Sequence, residues 1–263
     1  MEANAGVGQP RFRTIRSIMA LMLREMSSTY GRSPGGYLWA LLEPVGAIAI
    51  LSFVFSFAFR SPSLGANFPL FYATAFLPFM MFNDVSTRIA QAILFSRQFL
   101  NYPAVTFIDA ILARFFLNTI THIMVFYIVM TGIHVLFDLN SIIDYQLMII
   151  ALITTALFGL AVGTLNCYLF TKFTVWRSIW SILMRPMFII SGVFFLYEDV
   201  PSELRDYLWY NPVIHLTGMM RSAFYATYDA NYVSTVYLYL LIGSLSTLGL
   251  LLLGRSYRDL IER

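Results

Sequence analysis

The 263-residue chain is 59% hydrophobic and 17% aromatic, and only 12% of its residues are charged. A soluble domain carries roughly 25% charge, so a body of this size with half that share is expected to work in lipid, which excludes soluble enzymes and secreted disulfide scaffolds. The net charge of +3 is too small, and the 17 basic residues too scattered, to form a phosphate-tracking nucleic-acid surface.

In residues 1–37, Phe12, Ile15, Ile18, Met19, Met22 and Met26 recur at helical spacing, with Arg13, Ser17 and Arg24 opposite them. This predicts a cytoplasmic amphipathic helix along the membrane surface with its arginines among anionic headgroups. Its apolar run, 18–23, is cut by Arg24-Glu25 and is no signal peptide. Ser33-Pro34-Gly35-Gly36 then turns the chain into the bilayer.

A membrane-spanning helix needs about 20 largely apolar residues. Six segments qualify, at 38–59, 68–85, 110–135, 147–170, 179–197 and 233–253. The second is short and holds Pro69 and Pro78. The first contains Glu43-Pro44 and the fifth Arg185-Pro186, each a charge followed by a helix breaker. The expected fold is therefore an all-α polytopic membrane protein. Residues 1–37 form its cytoplasmic helix and turn, and 38–263 a six-helix transmembrane domain.

Placing the N-terminus inside puts twelve of the 17 Lys and Arg in the inner segments 1–37, 86–109, 171–178 and 254–263, and only three outside. By the positive-inside rule both termini are cytoplasmic. The outer segment 198–232 has helical character. Pro201-Ser202-Glu203 starts one short helix, Asn211-Pro212 breaks it, and 214–225 reads as a second. The pair either dips back into the outer leaflet or lies on it. Trp209, Tyr207, Tyr210, Phe224 and Tyr225 suit an interfacial belt.

Several chemistries are absent from the sequence. It has no GxSxG, no HExxH and no dinucleotide fingerprint, and His122, His134 and His215 lack metal-ligand spacing. Cys167 stands alone in an apolar stretch and reads as a small buried hydrophobe. The phosphate loop GxxxxGK[ST] is missing, and the single lysine, Lys172, has no glycine near it. Work driven by ATP would need a partner chain.

Charges within spans are the main functional clue, because a central Arg, Lys or Asp costs about 2.5 to 3.5 kcal/mol on insertion scales and so faces protein or water. Glu43 and Arg185 lie at similar depth, and either pair across a helix interface or line an aqueous path; snorkelling is the plain reading of Arg185. Arg114, one turn into the third span, is expected to snorkel or pair with Asp109. Thr155, Gly159 and Gly163 form a small-residue stripe that lets helix backbones approach closely, within the subunit or between copies.

The run Tyr30-Gly31-Arg32-Ser33-Pro34-Gly35-Gly36-Tyr37-Leu38-Trp39-Ala40-Leu41-Leu42-Glu43-Pro44 resembles the start of the first span in permease subunits of ABC exporters for capsular polysaccharide and related O-antigen glycans. Arg185-Pro186-Met187-Phe188-Ile189-Ile190-Ser191-Gly192-Val193-Phe194-Phe195 is similar to their fifth span, and Asn211-Pro212-Val213-Ile214-His215 with Arg221 to their outer re-entrant segment. Gly218 departs from the pattern, since many relatives carry an acid there.

The resemblance implies a bacterial inner-membrane homodimer with a central channel lined by spans 1 and 5, and so a polysaccharide path past Trp39, Glu43, Ala47, Arg185, Ile189 and Tyr197. It implies an outer gate at Trp209, Asn211, His215 and Arg221. Two ATP-binding-cassette ATPase subunits would hold ATP and Mg, this chain needing no cofactor of its own. Their docking site would be the helix Ala92–Leu100, through Leu94, Phe95, Arg97, Gln98 and Phe99. A lipid-linked polysaccharide cargo and periplasmic and outer-membrane export proteins are further implied partners. The competing cargoes are O-antigen, teichoic acid or a small hydrophobic compound. The competing classes are a membrane transferase on lipid-linked sugars, using the outer acids Glu198, Asp199, Glu203 and Asp206, and an ion-coupled carrier using His122 or Glu43.

Overall fold

The computed structural model describes residues 13–29, 36–100 and 105–262; Phe12, the predicted turn at 33–35 and loop residues 101–104 lie outside the described residues. In chain order the helices are α1 Arg13–Thr29, α2 Tyr37–Ala58, α3 Phe68–Ala90, α4 Ala92–Leu100, α5 Phe107–Leu136, α6 Tyr145–Lys172, α7 Trp176–Ile190, α8 Ser202–Leu208, α9 Pro212–Phe224 and α10 Thr235–Glu262. No strand occurs among the described residues.

Polar side chains fix the helix starts. Asn67 accepts from the Leu70 N–H at 2.9 Å with Pro69 in the first turn, and Asp144 accepts from the Leu147 N–H at 3.0 Å. Thr106 and Asp109 form a reciprocal capping box at the start of α5. That role occupies Asp109, so it is not the partner expected for Arg114.

Among the described residues four helical stretches are long and apolar enough to cross a membrane: Leu38–Ala58, Phe107–Leu136, Tyr145–Lys172 and Thr235–Ser256. α3 has the length, at 23 residues, but carries Tyr72, Thr74, Asn83 and Asp84. It tolerates them because it is the central helix, packed against α2, α5, α6 and α9, so little of it would meet lipid. The small-residue stripe is used inside the subunit. A Cβ on Gly163 would lie 2.7 Å from Ile89 Cβ, and one on Gly159 would lie 3.0 Å from Val85 Cγ1.

The expected fifth span, 179–197, is helical only to Ile190. Pro186 removes one backbone donor, the Ser191 hydroxyl bonds back to the Met187 carbonyl, and Gly192 adopts φ +75°, which only glycine takes without strain. The segment then runs irregularly to a short turn of helix at Tyr197–Asp199.

Candidate functional site

α3 stands between two cavities, and its own residues divide between them in four-residue steps. Phe79, Asn83, Thr87 and Gln91 face a cavity of about 760 Å³ whose opposite wall is α7. Met80, Asp84 and Arg88 face a smaller, more polar one of about 240 Å³, closed by α2 and α5.

The candidate path residues are split by this arrangement. Arg185 and Ile189 line the large cavity, whereas Trp39 and Glu43 line the small one. Glu43 and Arg185 therefore form no ion pair within the subunit; among the described residues the pairs are Arg114–Glu25 and His122–Asp84. Ala47 is half-buried and lines neither cavity. Tyr197 is buried away from both, its ring stacked on Tyr232 at 4.1 Å and its hydroxyl donating to the Arg205 carbonyl at 3.2 Å.

Arg185 reaches the large cavity because α7 is amphipathic. Arg177, Ser181 and Arg185 share the face turned to α3, while Ile179, Ile182, Leu183 and Ile190 are exposed on other sides. A helix with that distribution puts its polar face on water and its apolar side on lipid or another chain. In the small cavity His122 Nε2 lies 3.3 Å from Asp84 Oδ2, beside Glu43, Arg88 and Asn118. His134 is a structural residue. Its Nδ1 faces the Met130 carbonyl at 2.8 Å and so carries the hydrogen, leaving Nε2 to accept from the Ser141 hydroxyl at 2.7 Å.

On α4, the candidate coupling helix, Leu94, Arg97 and Gln98 are exposed, but Phe95 and Phe99 are turned into the subunit. The Arg24 guanidinium lies 4.7 Å from the Phe95 ring centroid and 4.2 Å from that of Phe99, and Arg114 lies 4.2 Å from Phe95. This corrects two expectations. Phe95 and Phe99 are covered by the subunit's own arginines and are not free to fill a partner's groove. Arg24 likewise faces protein and not headgroups. The only acid of α1, Glu25, was passed over in sequence; it pairs with Arg114 at 3.2 Å, both side chains buried. Burial pushes the Glu25 carboxyl above its ordinary range, with Arg114 opposing that shift.

The outer-gate residues converge on the irregular stretch after α7. Asn211 caps α9 through the Val213 N–H and donates its amide to the Ile190 carbonyl, each at 3.0 Å. Thr217 donates to the Ser191 carbonyl at 3.0 Å, and Arg221 donates to the carbonyls of Phe195 at 2.9 Å and Val193 at 3.4 Å. The backbone groups left over when α7 ends are thus taken by side chains of α9. Thr217 was not singled out in sequence, because a hydroxyl within a helix gives no signal of a distant carbonyl.

Arg221 is 2% exposed, lies 4.2 Å from the Phe71 ring centroid and has no carboxylate at ion-pair distance among the described residues. Trp209 donates its indole N–H to the Tyr232 carbonyl at 3.0 Å. His215 Nε2 donates to the Trp209 carbonyl at 2.7 Å, so Nδ1 is free to accept the Ser234 N–H at 3.3 Å. Burial holds this imidazole below its usual pKa. At Gly218 a Cβ would stand 2.4 Å from the Tyr232 hydroxyl oxygen, so a phenol fills the space a side chain would need there.

The chain is similar in sequence to known proteins. The chain is 28% identical over 222 residues to the polysialic acid transport protein KpsM of Escherichia coli, covering 84% of this chain and 86% of KpsM. It is 27% identical over 241 residues to the capsule polysaccharide export inner-membrane protein CtrC of Neisseria meningitidis serogroup A, 91% of each chain. With the capsule polysaccharide export inner-membrane protein BexB of Haemophilus influenzae it shares 28% over 240 residues, 91% of this chain and 88% of BexB. The family description "ABC-2 type transporter" matches residues 16–225, which reach from α1 through both cavities to the end of the outer cap. An all-helical chain with four lipid-compatible helices, a polar-faced α7 and that match over most of its length belongs to the ABC-2 type transporter family.

Proposed function

We propose that this chain is the transmembrane subunit of an ATP-driven exporter that carries a capsular polysaccharide from the cytoplasm across the bacterial inner membrane. The observation that carries this reading is the alignment with KpsM, CtrC and BexB over 84–91% of the chain. These are polysialic acid or capsule polysaccharide export proteins by name.

Six crossings fit the helices, with α3 shielded by its neighbours and α7 extended by the segment that α9 holds. The distribution of arginines supports cytoplasmic termini. Two copies would enclose the polysaccharide, the α7 face with Arg185 and Ile189 supplying wet surface. ATP and its Mg would sit on two ATPase subunits docked at Leu94, Arg97 and Gln98, because no phosphate loop occurs in these 263 residues. The cargo would arrive lipid-linked and pass to periplasmic and outer-membrane export proteins.

The test is purification of the tagged chain from its native membrane, followed by a deletion. Co-elution of an ATPase and loss of surface polysaccharide on deletion are expected. Transport by the chain with no ATPase present would sink the reading and favour an ion-coupled carrier.

A further inference from the structure

The α3–α7 cavity carries more chemistry than Arg185 alone. Asn83, Thr87 and Gln91 form one polar row along α3, and Arg177, Ser181 and Arg185 form another along α7. Thr87 and the Gln91 side chain have no hydrogen-bond partner among the described residues, and Asn83 has only its neighbour Asp84, at 3.3 Å. Trp180 also lines the cavity, and its buried indole N–H has no acceptor. Aromatic faces complete the wall, with Phe79 and Phe188 in contact at 5.1 Å between centroids.

The charge of this wall is one-sided. Two arginines line it and no carboxylate does, in contrast to the small cavity, where Glu43 and Asp84 accompany Arg88. Eight residues of helix separate Arg177 from Arg185, a rise of roughly 12 Å, so an extended chain laid along α7 can offer each guanidinium its own anionic group. Each guanidinium presents a planar fork suited to a carboxylate or a phosphate. A neutral chain passing here would leave both forks partly desolvated without an anion, which is costly.

We propose that the α3–α7 cavity is a binding site for an acidic glycan chain. Arg177 and Arg185 take anionic groups of separate residues along the chain. Asn83, Thr87 and Gln91 take hydroxyls, and Trp180 gives its N–H and a ring face to a sugar. This deepens the polysaccharide-export reading and rests on it, and it adds α3 to a path expected from the first and fifth spans.

The test uses the full-length protein in lipid nanodiscs and three probes of equal length: an α2,8-linked sialic acid tetramer, a glycerol-phosphate tetramer and maltotetraose. At least one acidic probe is expected to bind ten or more times tighter than maltotetraose, and to weaken as salt is raised. Combined Arg177→Gln and Arg185→Gln should weaken the acidic probe by about tenfold per arginine, with maltotetraose unchanged. Whichever acidic probe binds tighter tells carboxylate from phosphodiester. The Arg177→Lys, Arg185→Lys pair keeps the charge and should lose only a few-fold, which guards against a variant that fails to fold. Equal affinity for neutral and acidic probes, acidic binding indifferent to both arginines, or no binding of any probe would overturn the proposal. Polysaccharide export by cells carrying the unaltered chain and its ATPase is scored separately. Export without the binding pattern removes this site alone, whereas acidic binding without export removes the transport reading.

Discussion

Arg114 of α5 and Glu25 of α1 form a buried ion pair at 3.2 Å, and the same guanidinium donates to the Arg88 carbonyl at 2.5 Å and covers Phe95. One side chain therefore ties the N-terminal helix, the end of α3 and the proposed coupling helix to α5. Removing one partner of such a pair leaves an uncompensated buried charge and costs about 3–5 kcal/mol. Glu25→Ala is expected to lower the thermal midpoint in detergent and to reduce export. Glu25→Ala with Arg114→Met should be less damaging than the sum of the single changes, and strict additivity of midpoints would show that the pair is not coupled.

The proposed coupling helix, α4, divides by exposure. Leu94→Asp is expected to weaken ATPase association with little effect on the thermal midpoint, because Leu94 is exposed. Phe95→Ala should do the reverse, lowering stability by about 3 kcal/mol through loss of packing under Arg24 and Arg114. Pull-down and thermal unfolding on both variants separate the two surfaces; a stronger binding defect in Phe95→Ala than in Leu94→Asp would reverse the assignment.

Glycine positions give an internal comparison. Gly163→Ala places a Cβ 2.7 Å from Ile89 Cβ and 2.9 Å from the Ser86 carbonyl, so it should destabilise by about 1–3 kcal/mol. Gly46→Ala and Gly132→Ala meet nothing within 4 Å and should be neutral or slightly stabilising, since both lie within helices. Thermal unfolding of the three purified variants decides it.

His215 predicts a pH dependence of the outer cap. Its neutral ring donates to the Trp209 carbonyl and accepts from Ser234, and protonation would break the second bond. The folded-state pKa lies below the unfolded value, so its contribution is complete above about 6.5 and is lost as pH falls through the lower folded value. Hydrogen-exchange protection across 209–234, measured against the intrinsic rate at each pH, should fall on acidification below about pH 6.5, and His215→Gln should flatten that dependence. An unaltered pH profile in the variant would assign the effect elsewhere.

Much of this architecture was legible from spacing. The apolar runs predicted α2, α5, α6 and α10, and Asn211-Pro212 marked the break between α8 and α9, though α9 begins at Pro212 and not at 214, because these depend on neighbours in sequence. The early end of α7 was only half legible. Arg185-Pro186 marked a weak point, but Gly192 stops the helix with help from Asn211, Thr217 and Arg221, which are 19 or more residues further on. The partners of Arg114 and Phe95 were hidden for the same reason. Glu25 lies 89 residues before Arg114, and an acid on an amphipathic helix reads equally well as solvated. Likewise Asn83 fell at the end of the predicted second span and Thr87 and Gln91 in the predicted inner loop 86–109, and nothing in sequence joined the three into one wall before α7 was placed opposite them.

The last prediction concerns Gly218 and Tyr232. Arg221 is buried with no carboxylate at ion-pair distance among the described residues, and the sequence position that could supply one, three residues earlier on the same helix, is glycine. Tyr232 explains why. Its hydroxyl donates to the Ile214 carbonyl at 3.3 Å, its ring stacks on Tyr197, and it occupies the volume a side chain at 218 would need. Burial raises its phenol to about 12, so it stays neutral and gives Arg221 a dipole without a charge. Gly218→Glu alone should therefore clash and destabilise the cap. Tyr232→Ala alone should also destabilise, by up to about 3 kcal/mol, the low end of the scale for removing a core aromatic, because this ring is half-buried. Together they should recover much of that loss, because the carboxylate gains both space and the Arg221 guanidinium. Thermal midpoints of the two single variants and the double variant test this: a double variant no more stable than the worse single one would show that Gly218 and Tyr232 do not share that volume.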